Sequence, residues 1–154
     1  MKAEQIYLLD QDKVREAIDK ILVLETGNKY MVSISDASSK TTKQNNYQRR
    51  LCRDVANSGI GGRHEETADA VHRFCKYKFA LPVILEKDEN FAWLYESVKK
   101  ELFNDEDKMI WFVDSQVSTM DFSVSEGAQY ITDMINYYAP RGAKLTDPAD
   151  YGLK

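Results

Sequence analysis

Met109-Ile110-Trp111-Phe112-Val113 is an uninterrupted apolar run between Lys108 and Asp114. Its shortness and its aromatic and β-branched content read as a short strand. Two more strands are read upstream. One is Gln5 to Leu9. In the other, Tyr30, Val32 and Ile34 alternate with Met31, Ser33 and Ser35, as in a half-buried strand.

Helical spacing fills the rest. Val14, Ala17, Ile18, Ile21 and Leu22 recur at helical intervals behind Asp10 or Asp12, with Gly27 as the stop. Thr42 reads as the N-cap of a second helix, and a third runs from about His64 to Phe79 and ends at Pro82. Asn90 opens a fourth, with Phe91, Leu94, Tyr95, Val98 and Leu102 inward. Ser123 and Glu126 form a capping box for the last, whose inward face is Ala128, Ile131, Met134, Ile135 and Tyr138. This order predicts a single α+β domain over 1–154, a small mixed or antiparallel sheet with about five helices packed against it.

A chain of 154 residues can bury a real core. Only 7 Gly and 3 Pro argue against long disordered linkers. A net charge of −4 excludes a histone-like protein that coats DNA through bulk charge. Cys52 and Cys75 fall on apolar-periodic stretches and read as reduced core thiols of a cytoplasmic protein. No run approaches the roughly 20 apolar residues that cross a bilayer, so no membrane association is expected.

Charge is uneven. Residues 36–85 carry nine Lys/Arg against five Asp/Glu, whereas residues 86–107 carry three Lys against eight acids. The basic half centres on Ser38-Ser39-Lys40-Thr41-Thr42-Lys43-Gln44-Asn45-Asn46-Tyr47-Gln48-Arg49-Arg50-Leu51-Cys52-Arg53-Asp54-Val55. Tyr47, Leu51 and Val55 form its apolar side, and Lys43, Asn46, Arg49, Arg50 and Arg53 fall opposite. Solvation explains many such stripes. Here acids at i±4 are scarce, and the amides suit phosphates and base edges.

Other constellations carry less. The hydroxyls before this helix suit capping, and no phosphate-binding Walker pattern exists. His64, His72 and Cys75 lack the compact spacing of a metal site, and no metal or other cofactor is expected. Glu86, Asp88, Glu89, Asp105, Glu106 and Asp107 read as a solvated face; a metal-dependent nuclease built on them is the least favoured function.

Lys43-Gln44-Asn45, followed by Asp54-Val55-Ala56, resembles the Q-N … D-V-S block of the phage NinB family, the Orf-type recombination mediators of lambdoid phages. Three further blocks are similar to that family. They are Glu65 to Phe79, Ser118-Thr119-Met120-Asp121-Phe122-Ser123-Val124-Ser125-Glu126 and Arg141-Gly142-Ala143-Lys144. The resemblance covers most of the chain. It implies a non-enzymatic homodimer that binds single-stranded DNA, works with a single-strand-binding protein and helps load a recombinase.

On that reading the phosphate contacts are Lys40, Lys43, Arg49, Arg50, Arg53, Arg63, Arg73, Lys76 and Lys78, with Arg141 and Lys144 as outliers. Gln44, Asn45, Ser118 and Thr119 are motif residues, and the first two either bind or orient the start of the helix. The alternative is an adaptor without DNA contact. Its basic groove takes the acidic tail of a single-strand-binding protein, and Trp93, Trp111, Tyr137 and Tyr138 form an interface.

Overall fold

Asp105 accepts a hydrogen bond from the Lys108 amide (3.1 Å) and so starts a helix, not a strand, over the run that follows. The computed structural model describes residues 11–24, 27–28, 32, 41–102 and 105–153. They fall into two units, Met1–Ala37 and Ser38–Lys154. In the first, α1 (Gln11–Leu22) bears Glu16 between Lys13 and Lys20, with Ile18, Ile21 and Leu22 exposed.

The second unit contains α2 (Thr42–Asn57), α3 (Ala68–Cys75), a π-helical stretch (Lys76–Ala80), α4 (Leu81–Lys87), α5 (Glu89–Glu101), α6 (Glu106–Gln116) and α7 (Val124–Tyr138). Short 3₁₀ turns occupy Thr119–Asp121, Ala139–Arg141 and Pro148–Tyr151. Among the described residues there is no β-strand, so the architecture is helical and the expected α+β fold with a small sheet is incorrect. The reason is visible in α6. It buries Met109, Ile110 and Val113 and exposes Trp111, the i, i+1, i+4 pattern of a helix. A strand would have put Met109, Trp111 and Val113 on one face. The other two expected strands, over 5–9 and 30–35, lie outside the described residues except for Val32.

Pro82 does not end the third helix. α3, the π stretch and α4 continue as one rod, since Lys76 (φ −59°, ψ −47°) and Leu81 (φ −52°, ψ −48°) keep helical angles. Leu81 N–H reaches back five residues to the Lys76 carbonyl. This wider ring changes the bonding frame just ahead of the proline, which has no N–H to donate. Other helix starts move by one to four residues, the third helix starting at Ala68 behind the cap Thr67 and not near His64. Thr41, not Thr42, caps α2, and Asp88, not Asn90, caps α5. Ser123 caps α7 as expected, and the Glu126 carboxylate is also held by Lys87 at 2.8 Å.

The core lies where α2 meets α3 and α7, and α3 with the π stretch meets α6. Tyr47, Leu51 and Val55 from α2 pack with Val71 and Cys75, Val113, Phe122, and Tyr130, Met134 and Tyr138 of α7. Removing a side chain such as Leu51, which is 1% exposed, should cost about 2–5 kcal/mol.

Candidate nucleic-acid interface

α2 is the longest described helix, and each of its sides has a different task. Thr41 Oγ1 accepts from the Gln44 amide (3.1 Å), and Gln44 Oε1 accepts from the Thr41 amide (3.0 Å). Gln44 Nε2 then donates to the Val124 carbonyl (2.9 Å), which ties the start of α2 to the start of α7. Gln48 lies in the core, with Nε2 3.2 Å from His72 Nδ1 and Oε1 accepting from Thr119 Oγ1 at 3.4 Å. Ser118 caps the 3₁₀ turn through the Met120 amide. Gln44, Ser118 and Thr119 therefore hold the architecture, and Asn45 is half-buried beside them.

A second side of α2 is covered by the C-terminal segment. Gly142 takes φ 93°, a left-handed conformation natural only to glycine, and turns the chain back after α7. The Lys144 amide donates to Ser58 Oγ (2.9 Å), and the Thr146 amide donates to Asp54 Oδ2 (2.8 Å). Tyr47 donates its hydroxyl to the Thr146 carbonyl (2.7 Å), and the Tyr151 ring lies 5.5 Å from the Tyr47 ring. The segment thus runs along α2 from its C-terminal to its N-terminal end. Burial first, then Asp147 and Asp54, push the Tyr47 phenol up to about 12, so it stays a donor.

The third side faces solvent. Thr42, Asn46, Arg49, Arg53 and Asn57 are exposed. At 100° per residue they fit within an arc of about 80°. Among the described residues no carboxylate pairs with Arg49 or Arg53. Lys43 is exposed at the stripe's edge, close to Gly152. Lys40 lies outside the described residues.

The remaining expected contacts divide by partner. Arg50, next to Arg49, is held by Asp54 Oδ1 (2.8 Å) and the Thr146 hydroxyl (3.0 Å). Arg63 bridges Glu106 (3.3 Å) and Asp107 (3.1 Å). Lys76 is 7% exposed and donates to both the carboxylate (2.8 Å) and the carbonyl (2.9 Å) of Asp114, which removes it from any phosphate-binding surface.

Lys78 and Arg141, 63 positions apart in sequence, converge on one ring. The Lys78 ammonium is 4.9 Å and the Arg141 guanidinium 3.6 Å from the Tyr137 centroid. Phe74 and Phe79 border the same ring, and His64 stacks on Phe74 at 4.5 Å. Arg73 lies 4.4 Å over the Trp111 ring. The Lys144 side chain is exposed.

Four of the six acidic loop residues have structural tasks, and Glu86 and Glu89 are exposed. Asp88 and Asp105 cap α5 and α6, and Glu106 and Asp107 hold Arg63. The hydrogen bond from the Lys108 amide holds the Asp105 carboxyl below its usual range, and the bond from Lys87 does so for Glu126. His64 and His72 are engaged separately. Among the described residues no group of three or more His, Cys, Asp or Glu is arranged to hold a metal. Of the four aromatics expected at an interface, Trp93 and Trp111 are exposed, Tyr137 is half-buried, and Tyr138 is a core residue, a correction to that expectation.

Sequence reasoning missed these three cation–ring pairings. Tyr137 and Arg141 are four apart, and that spacing was a usable signal. Arg73 and Trp111 are 38 apart, and nothing local links them. Among the described residues no helix is long and apolar enough to cross a membrane. No protein-family model, curated protein or solved structure matches the chain.

Proposed function

We propose that this chain binds single-stranded DNA along the solvent side of α2. The observation that carries the reading is Arg49 and Arg53, one helical turn and about 6 Å apart, exposed and without carboxylate partners among the described residues. Arg50, between them in sequence, is neutralised by Asp54 and gives an internal contrast. Asn46 and Asn57 extend the stripe with amides. Lys78 and Arg141, gathered around Tyr137, supply a second cationic site for phosphates. The acidic net charge disfavours general adhesion to duplex.

The finer role, a homodimeric phage-type recombination mediator that works with a single-strand-binding protein and helps load a recombinase, is supported by the Gln44-Asn45, Ser118-Thr119 and Arg141-Gly142 blocks.

The test is a salt series of binding to a labelled single-stranded oligonucleotide and to the matching duplex. Affinity for the single strand should exceed that for duplex and fall steeply with salt, by about 0.7 log units per log unit of salt for each phosphate engaged. A flat salt dependence removes the mechanism. Capture of an acidic single-strand-binding-protein tail peptide, with no binding to bare oligonucleotide, selects the adaptor reading instead.

A further inference from the structure

We infer that Trp111, backed by Arg73, is a stacking platform for one unpaired nucleobase; the inference rests on the single-stranded DNA reading and adds a base-recognition site to it. Trp111 is 60% exposed, although it lies on a helix that buries its other apolar side. The Arg73 guanidinium lies 4.4 Å from the ring centroid, and no carboxylate among the described residues pairs with it. A cation over an indole is attracted to the electron-rich face and restrains the ring. An arginine stacked in this way keeps donor edges that a phosphate can use.

The platform is braced. One turn beyond Arg73, Lys76 donates to the Asp114 carboxylate (2.8 Å) and carbonyl (2.9 Å), and Asp114 is one turn beyond Trp111. The pair therefore stands on two helices clamped together next to it. Such bracing lowers the ordering cost of binding.

The surroundings favour a base over a protein partner. The turns that flank Trp111 on its own helix carry Asp107, Lys108, Asp114 and Ser115, all polar. A protein interface centres on an apolar core, whereas a base needs only a ring face and a nearby cation. Trp93 offers a control. It is 74% exposed, and no cation lies over it among the described residues.

The test uses two single-tryptophan forms of the full chain, Trp93→Phe, which reports on Trp111, and Trp111→Phe, which reports on Trp93. Each is titrated with oligothymidylate while emission and the anisotropy of a labelled oligonucleotide are followed. Trp93→Phe should show quenching that saturates with binding, and Trp111→Phe should not. Trp111→Ala should weaken binding about 5- to 100-fold. If Trp111→Ala fails to fold, the emission of Trp93→Phe still decides the question. Salt-sensitive binding with unchanged Trp111 emission overturns the platform and leaves the DNA reading standing. Absence of binding by the wild-type chain overturns both. Trp111 emission that shifts with protein concentration and not with oligonucleotide assigns the ring to a contact between copies, which also overturns the platform.

Discussion

The amide of Thr146 donates to the carboxylate of Asp54 across 2.8 Å, while the other oxygen of that carboxylate holds Arg50. One buried acid therefore fixes the C-terminal segment and neutralises a cation beside the proposed binding stripe. Asp54→Ala leaves the Thr146 amide unpaired and frees Arg50. It should destabilise the fold by about 2–3 kcal/mol, read from urea unfolding. A loss under about 0.5 kcal/mol would mean that Tyr47 and Ser58 hold the segment without Asp54.

Arg49 and Arg50 are adjacent in sequence but should behave differently. Arg49→Glu with Arg53→Glu should lower the salt slope of single-strand binding by about 1.4 and weaken binding, with the thermal midpoint nearly unchanged. Arg50→Gln should leave the slope alone and lower stability modestly. Equal effects on binding from both changes would contradict the separation of the two arginines by partner.

Lys76 and Asp114 form a nearly buried pair. Asp114→Ala removes the carboxylate and leaves the ammonium only the backbone carbonyl at 114, which should cost about 3 kcal/mol. Lys76→Met removes the charge and keeps the volume, with Asp114 still reached by water, and should cost about 1 kcal/mol. Urea unfolding of both variants checks the order, and a costlier Lys76→Met would reverse the argument.

Burial pushes the Cys75 thiol well above its ordinary 9.0, and burial with nearby acids pushes Tyr47 from 10.0 to about 12. In the unfolded chain both ionise at their ordinary values, so at alkaline pH the unfolded state binds fewer protons than the folded one. Their contribution is complete below pH 9 and is lost as pH rises through 9 for the thiol and from 10 towards 12 for the phenol. The urea midpoint should therefore fall steadily above pH 9. A midpoint that holds level or rises from pH 9 to 11 would contradict the burial of these groups.

The helices were legible where a face repeats. Tyr47, Leu51 and Val55 point inward as their spacing says, and Ser123 begins α7. The run at Met109 was misread because five consecutive apolar residues hide their period. The useful sign was upstream, where Asp105 stands three residues before Lys108 as a cap. Pro82 was misread because proline stops an α-helix, and the sequence does not announce a π stretch ahead of it. At the candidate site the cations could be counted but not sorted. Asp54 lies four residues from Arg50 and could be foreseen. Asp114 is 38 residues from Lys76, and Glu106 is 43 from Arg63, distances that only the folded chain closes.

The long return of the C-terminal segment along α2 has a consequence for synthesis. Tyr47 meets Thr146 across 99 positions, and Gln44 meets Val124 across 80. Closing such loops carries an entropic cost that local helix formation does not repay. During translation α2 can coil early, yet its Tyr47 side stays uncovered until the residues near 146 leave the ribosome. The chain then completes its first large helix of this unit last, and nascent forms that stop short of Thr146 should be those that engage chaperones.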